Sequence, residues 1–174
     1  MTISVFDLFR IGIGPSSSHT VGPMRGAARF VEHHLKDAGL MDRVARVRAE
    51  VFGSLALTGR GHGTDKALML GLEGHEPNRI DPDIVPATLE RIRGEKALML
   101  GGVKRIGFEE KRDLVMNKRQ KLPLHTNGMR FTAYDANEEV LATRDYYSVG
   151  GGFMVNPDEA AADRIVPDTT PPAE

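Results

Sequence analysis

Residues 128–155 read GMRFTAYDANEEVLATRDYYSVGGGFMV. Met129, Phe131 and Ala133 fall on alternate positions, DANEE offers a polar turn, and VLATRDYYSV returns as a second extended run. Side chains of a strand point alternately to opposite faces, so this spacing predicts a half-buried strand, and the short turn joins it antiparallel to its neighbour. Gly150, Gly151 and Gly152 then break the chain, and FMV is long enough for one more strand. Upstream, ARVRAEVFG (residues 45–53) alternates in the same way, with Ala45, Val47, Ala49 and Val51 on one face and Arg46, Arg48, Glu50 and Phe52 on the other. DLVMN (residues 113–117) is a short apolar strand.

The rest of the first half has a helical period. Val21, Met24, Ala28, Val31 and Leu35 recur on one face, and Gly39 can stop that helix. TDKALMLGLEG predicts a second helix, capped by Thr64 or Asp65 and ended near Gly74. VPATLERIRGE predicts a third, with Pro86 in its first turn. GSLALTGRGHG between strand and helix reads as a run into a glycine-rich loop. Helices interleaved with strands, followed by a β-rich half, make the fold class α+β with a mixed sheet.

The chain has 174 residues, 40% of them hydrophobic and 27% charged, and a formal net charge of -1. A domain of this size buries roughly two thirds of its unfolded surface and folds without staples. Residues 1–156 form the expected domain; residues 157–174, polar and rich in proline, read as a linker or tail. The balanced charge gives no reason to expect nucleic acid or a membrane surface as partner. No run of about 18 apolar residues is present, and Asp7 interrupts the apolar N-terminal stretch, a poor signal peptide, so the expected location is cytoplasmic. The cysteine count is zero, which leaves no disulfide, thiol nucleophile or thiolate-held cluster within this chain.

Four stretches carry chemistry. GPSSSHTVGP places Ser16, Ser17, Ser18, His19 and Thr20 at a helix start. Free N–H groups and the positive end of the helix dipole favour an anion there, and hydroxyls add donors. A plain helix cap needs one such residue, whereas this run has five. In TGRGHGTDKA, His62 lies between glycines that let a ligand approach the backbone, with Thr64 and Asp65 following. The bland reading is a flexible turn with an exposed histidine. HTNGMRF brings Asn127-Gly128, a pair suited to a turn with positive φ. YYSVGGGF allows either a tight turn or a close backbone approach. His33, His34 and His75 read as surface residues, and no His-x-x-x-His pair marks a zinc helix. A hydrolytic triad of Ser17, His62 and Asp65 lacks the Gly-x-Ser-x-Gly elbow, and nothing marks Lys66 as a Schiff-base lysine except its place after the loop.

Taken in order, SVFDLFRIGIGPSSSHTVGPMRGA, GSLALTGRGHGTDKALMLGLEG, HTNGMRF and YYSVGGGF resemble the N-terminal, or β, part of the iron–sulfur-dependent L-serine dehydratases. The resemblance runs from about Ile3 to Val155, with one departure: Thr126 stands where the family usually has proline. It implies conversion of L-serine to pyruvate and ammonia, with a [4Fe–4S] cluster held by three cysteines of a separate α part. It also implies a homodimer, and a fold like the allosteric substrate-binding domain of phosphoglycerate dehydrogenase. On this resemblance Ser16, Ser17, Ser18, Thr20, Thr64, Asp65, Asn127 and Gly128 hold or orient the substrate. His62 is the base for the α-proton and His19 the alternative base. No metal ligand is expected in this chain. The competing reading is a non-catalytic domain that binds a small anionic effector; it needs the anion cradle but not the glycine-flanked imidazole.

Overall fold

A computed structural model describes residues 20–58, 63–123, 126–149 and 153–155. Helix α1 spans Gly22–Arg29 and continues in a wider π winding over Phe30–Lys36. Gly39 ends it at φ +70°, while the Leu40 amide donates back to the Leu35 carbonyl at 2.9 Å. Strand β1 (Arg46–Phe52) follows, then helices α2 (Gly53–Thr58), α3 (Thr64–Leu72) and α4 (Val85–Glu95). A hairpin of β2 (Ala97–Leu100) and β3 (Lys104–Gly107) leads through the single turn α5 (Glu110–Asp113) to β4 (Leu114–Asn117). The chain closes with β5 (Gly128–Tyr134), β6 (Val140–Val149) and β7 (Phe153–Val155).

The main sheet has the order β4-β1-β5-β6-β7. β1 and β4 are parallel and the other pairs antiparallel, so the sheet is mixed, as the sequence predicts. Its helix-facing side carries Val47, Ala49 and Val51 of β1 opposite Ala133, Phe131 and Met129 of β5. These residues are buried, as alternation predicts; only Ala45, just before the strand, is exposed. Phe30 of the π winding stacks on Phe131 at 5.5 Å, and Tyr146 of β6 meets Phe131 edge-on at 5.9 Å. The opposite side carries cross-strand polar pairs, Arg130 to Asp145 at 2.6 Å and Thr132 to Thr143 at 3.2 Å, and a small apolar cluster of Phe52, Leu122 and Tyr147.

Two expectations are corrected, and one element is new. GSLALT is helical, not the start of a loop. The hairpin of β2 and β3 was not expected from the sequence; Gly101 and Gly102, both at positive φ, allow its turn. Neither Thr64 nor Asp65 caps α3: its N-cap is Gly63 at φ +77°, and Thr64 is the first helical residue, fully buried. α1 and α3 pack very close. Gly71 lies against Met24 and Ala27, and a Cβ there would come well inside 3.0 Å of the Met24 carbonyl.

Candidate functional site

The polar residues gather where β1 ends, β5 begins and β6 ends. Gly53 follows β1 at φ +55°, a conformation other residues rarely adopt. Its amide donates to the Gln120 carbonyl at 2.8 Å, and an added Cβ would sit 2.5 Å from the Thr126 carbonyl. The Ser54 amide donates to both the carbonyl and Oγ1 of Thr126, each at 3.2 Å. The proline of the related family could not supply that Oγ1, so at Thr126 ring stiffness is exchanged for a hydrogen bond. Asn127 follows, nearly buried, and its carbonyl accepts from the Ser148 amide of β6 at 3.0 Å. Thr126, Asn127, Ser54 and Ser148 are thereby brought to one edge of the sheet.

Gly128 belongs to this edge for a different reason from the one expected. It does not adopt positive φ; it opens β5 as an extended residue, and a Cβ would meet Leu122 at 2.9 Å. Ser148 is a functional candidate that the sequence reading missed. It is 1% exposed, and its Oγ has no hydrogen-bond partner. A buried hydroxyl without a partner among the described residues is a costly arrangement, which makes Ser148 a candidate for contact with a ligand. Its position beside the glycines of YYSVGGG was the available signal.

Thr64 and Asp65 sit at the start of α3, immediately after the His62 loop. Asp65 Oδ2 accepts from Arg93 Nη2 of α4 at 3.5 Å, while Oδ1 is buried without a partner. Thr20, leading into α1, is fully buried like Thr64. Thr20, Thr64 and Asn127 each have further interactions with the chain. Ser16, Ser17, Ser18, His19 and His62 lie outside the described residues.

The histidines read as surface groups divide. His33 is exposed and pairs with Asp37 at 3.3 Å. His34 is half-buried, 6.0 Å from the Phe30 ring and 6.3 Å from that of Tyr146, because the π winding turns it toward the sheet. His75 is half-buried in a cleft of about 440 Å³ that Lys36, Glu73, Arg79 and Gly101 also line. Burial holds the His75 pKa below its ordinary value; nearby Arg91 acts the same way and Glu73 opposes it. None of the predicted site residues among the described residues lines this cleft.

The described residues do not fit a metal cluster. No group of three or more His, Asp or Glu side chains among them could hold a metal ion, and the sequence has no cysteine. What this edge offers is hydroxyls, an amide and close backbone, a set suited to holding a small polar molecule.

Residues 4–159 match the family described as Serine dehydratase beta chain. The chain is similar to the L-serine dehydratase of Streptomyces coelicolor, 52% identical over 170 residues, which are 98% of this chain and 37% of that protein. It is also similar to the L-serine dehydratase of Mycobacterium tuberculosis, at 51% over 89% of this chain and 33% of the relative. L-serine dehydratase 1 of Escherichia coli is 44% identical over 92% of this chain and 35% of that protein. The chain thus spans little more than a third of the length of these relatives.

Proposed function

The chain belongs to the serine dehydratase beta chain family, and from that premise we propose that it supplies the substrate-holding part of an L-serine ammonia-lyase, which converts L-serine to pyruvate and ammonia in the cytoplasm. The family match over residues 4–159 carries this reading. The proximity of Asn127, Gly128 and the buried Ser148 where β5 begins and β6 ends supports it, because these residues come from two of the stretches that carry the resemblance.

The roles follow from what the substrate needs. The carboxylate requires donors, and Ser16, Ser17, Ser18, Thr20 and Thr64 provide hydroxyls at two helix starts. Asn127 and the backbone at Gly128 orient the substrate. The α-proton requires a base near neutral pH, assigned to His62, with His19 as the alternative. An [4Fe–4S] cluster has no ligands here, since the chain contains no cysteine. It belongs to an α part, as a subunit or a further domain, and no step of the present chain runs through it. A homodimer of the complete enzyme is part of the same proposal.

The test uses the complete enzyme with its cluster rebuilt anaerobically, comparing wild type with His62→Ala and His19→Ala for pyruvate formation and solvent exchange of the serine α-proton. Loss of both activities in His62→Ala, with serine still bound, supports the assignment. An active His62→Ala beside a dead His19→Ala transfers the base to His19. Serine binding without any turnover, even in wild type, favours an effector-binding domain.

A further inference from the structure

Helix α2 packs against β4 and carries Leu57, at 64% the most exposed large apolar side chain among the described residues. Leu55 and Ala56 beside it are buried in the core, so the helix is firmly seated and Leu57 is left on its outer side. Ser54 lies one turn before Leu57, on the same side of the helix, and its amide donates to Thr126. The segment after β4 crosses the start of α2. The Gln120 carbonyl accepts from the Gly53 amide at 2.8 Å, and Lys121 Cγ lies 3.3 Å from a Cβ built on Gly53. Lys118, Arg119 and Lys121 of this segment are exposed, and no ion pair joins them to a carboxylate among the described residues. Cations elsewhere find one: Arg91 pairs with Glu73, Arg105 with Glu95 and Arg130 with Asp145. A single exposed leucine is ordinary. An exposed leucine adjoining three unpaired cations, at the border of the polar edge, has the composition of a contact surface.

The geometry points to α2 and residues 118–121 as the surface on which the cysteine-bearing α part docks, with Leu57 entering an apolar recess and Lys118, Arg119 and Lys121 facing carboxylates. This inference rests on the serine dehydratase reading. The chain covers 37% of the Streptomyces coelicolor relative, so on that reading most of the complete enzyme lies outside it. A cluster carried by the α part has to reach the edge where Ser54, Thr126, Asn127 and Ser148 gather, and this surface adjoins that edge. A second copy of the chain is the poorer occupant. A two-fold contact sets a patch against itself, and here it would press cations against cations.

The experiment compares the complete enzyme with the 174-residue chain. Lysines are acetylated briefly with an N-hydroxysuccinimide ester, and the extent at Lys118 and Lys121 is read by mass spectrometry with Lys96 as reference. A carbodiimide, which joins amines to carboxylates in contact, is applied to the complete enzyme in parallel. The expected result is that Lys118 and Lys121 react severalfold more slowly in the complete enzyme than in the chain. Their cross-links run to Asp or Glu residues of the cysteine-bearing part. Leu57→Glu sets a carboxylate among carboxylates, so in the complete enzyme it restores most of the labelling. In the 174-residue chain it leaves the melting temperature nearly unchanged, because the side chain is exposed. Equal labelling in the two proteins, cross-links to a second copy of this chain, or protection that survives Leu57→Glu would overturn the inference. Pyruvate formation by the same wild-type preparation keeps the two failures apart. Pyruvate without protection overturns the docking surface alone; no pyruvate from L-serine overturns the dehydratase reading, and the assigned occupant with it.

Discussion

Asp113 shows how much one buried charge can organise. It has no exposed surface, and its carboxylate accepts from Arg46 at 3.1 Å, from Arg112 at 2.9 and 2.8 Å, and from the Glu109 amide at 3.0 Å. Replacing it with alanine removes one of the two carboxylates that pair with the partly buried Arg46, strips Arg112 of its partner and leaves the Glu109 amide without its acceptor. Asp113→Ala is expected to lower stability by about 3 kcal/mol in urea unfolding. Ser148 is the opposite case. Its hydroxyl has no partner to lose, so Ser148→Ala should leave the melting temperature within a few degrees while raising the KM for L-serine in the complete enzyme. His75 predicts a pH effect. Its folded pKa lies below the model-compound 6.5, so the unfolded chain binds the proton first as pH falls. The folded state therefore loses stability below about pH 6.5, and His75→Gln should lose less between pH 7.5 and 5.5 in denaturant titrations. Of these three residues, sequence alone marked none: Asp113 looks like any charged residue, and His75 was read as surface.

At the level of elements, the close packing of α1 on α3 depends on Gly71. Any side chain there drives into the Met24 carbonyl, which is backbone and cannot swing aside. Gly71→Ala is expected to cost about 2 kcal/mol, read from the thermal unfolding midpoint. Gly53 has the same dependence at the sheet edge, through its positive φ and the Thr126 carbonyl 2.5 Å from an added Cβ. Strands and long helices were legible because burial of one face imposes a period, two for β1 and β5, close to four for α1 and α3. The six-residue α2 and the hairpin of β2 and β3 were not. Short elements hold too few turns to show a period, and their conformation is set by what they pack against.

The described residues form helices packed against a mixed sheet, with Ser54, Thr126, Asn127 and Ser148 gathered where β1 and β6 end and β5 begins. Among the described residues, no helix is long and apolar enough to cross a membrane. On the proposed function, the chain by itself is expected to fold and to give no pyruvate from L-serine. Coupled spectrophotometric assay of the purified chain, with and without the cysteine-bearing part, checks this. Turnover by the chain alone would place the whole reaction within its own residues.

The sequence by itself determined the fold class, because hydrophobic burial writes its period into the order of residues. It determined the family resemblance too, and the lack of thiolate ligands followed from a count. It also marked Asn127 and Gly128, since glycine-flanked polar stretches are visible without coordinates. Tertiary structure alone decided which polar groups share a place. Ser148 and Asn127 meet through a hydrogen bond between residues 21 positions apart, and Asp65 finds Arg93 across 28. At Gly128 the constraint is one only packing reveals, the approach of Leu122 rather than a turn. The partners in such contacts are chosen by how the elements pack, and packing depends on the shapes of all the surfaces that meet, which no local pattern encodes.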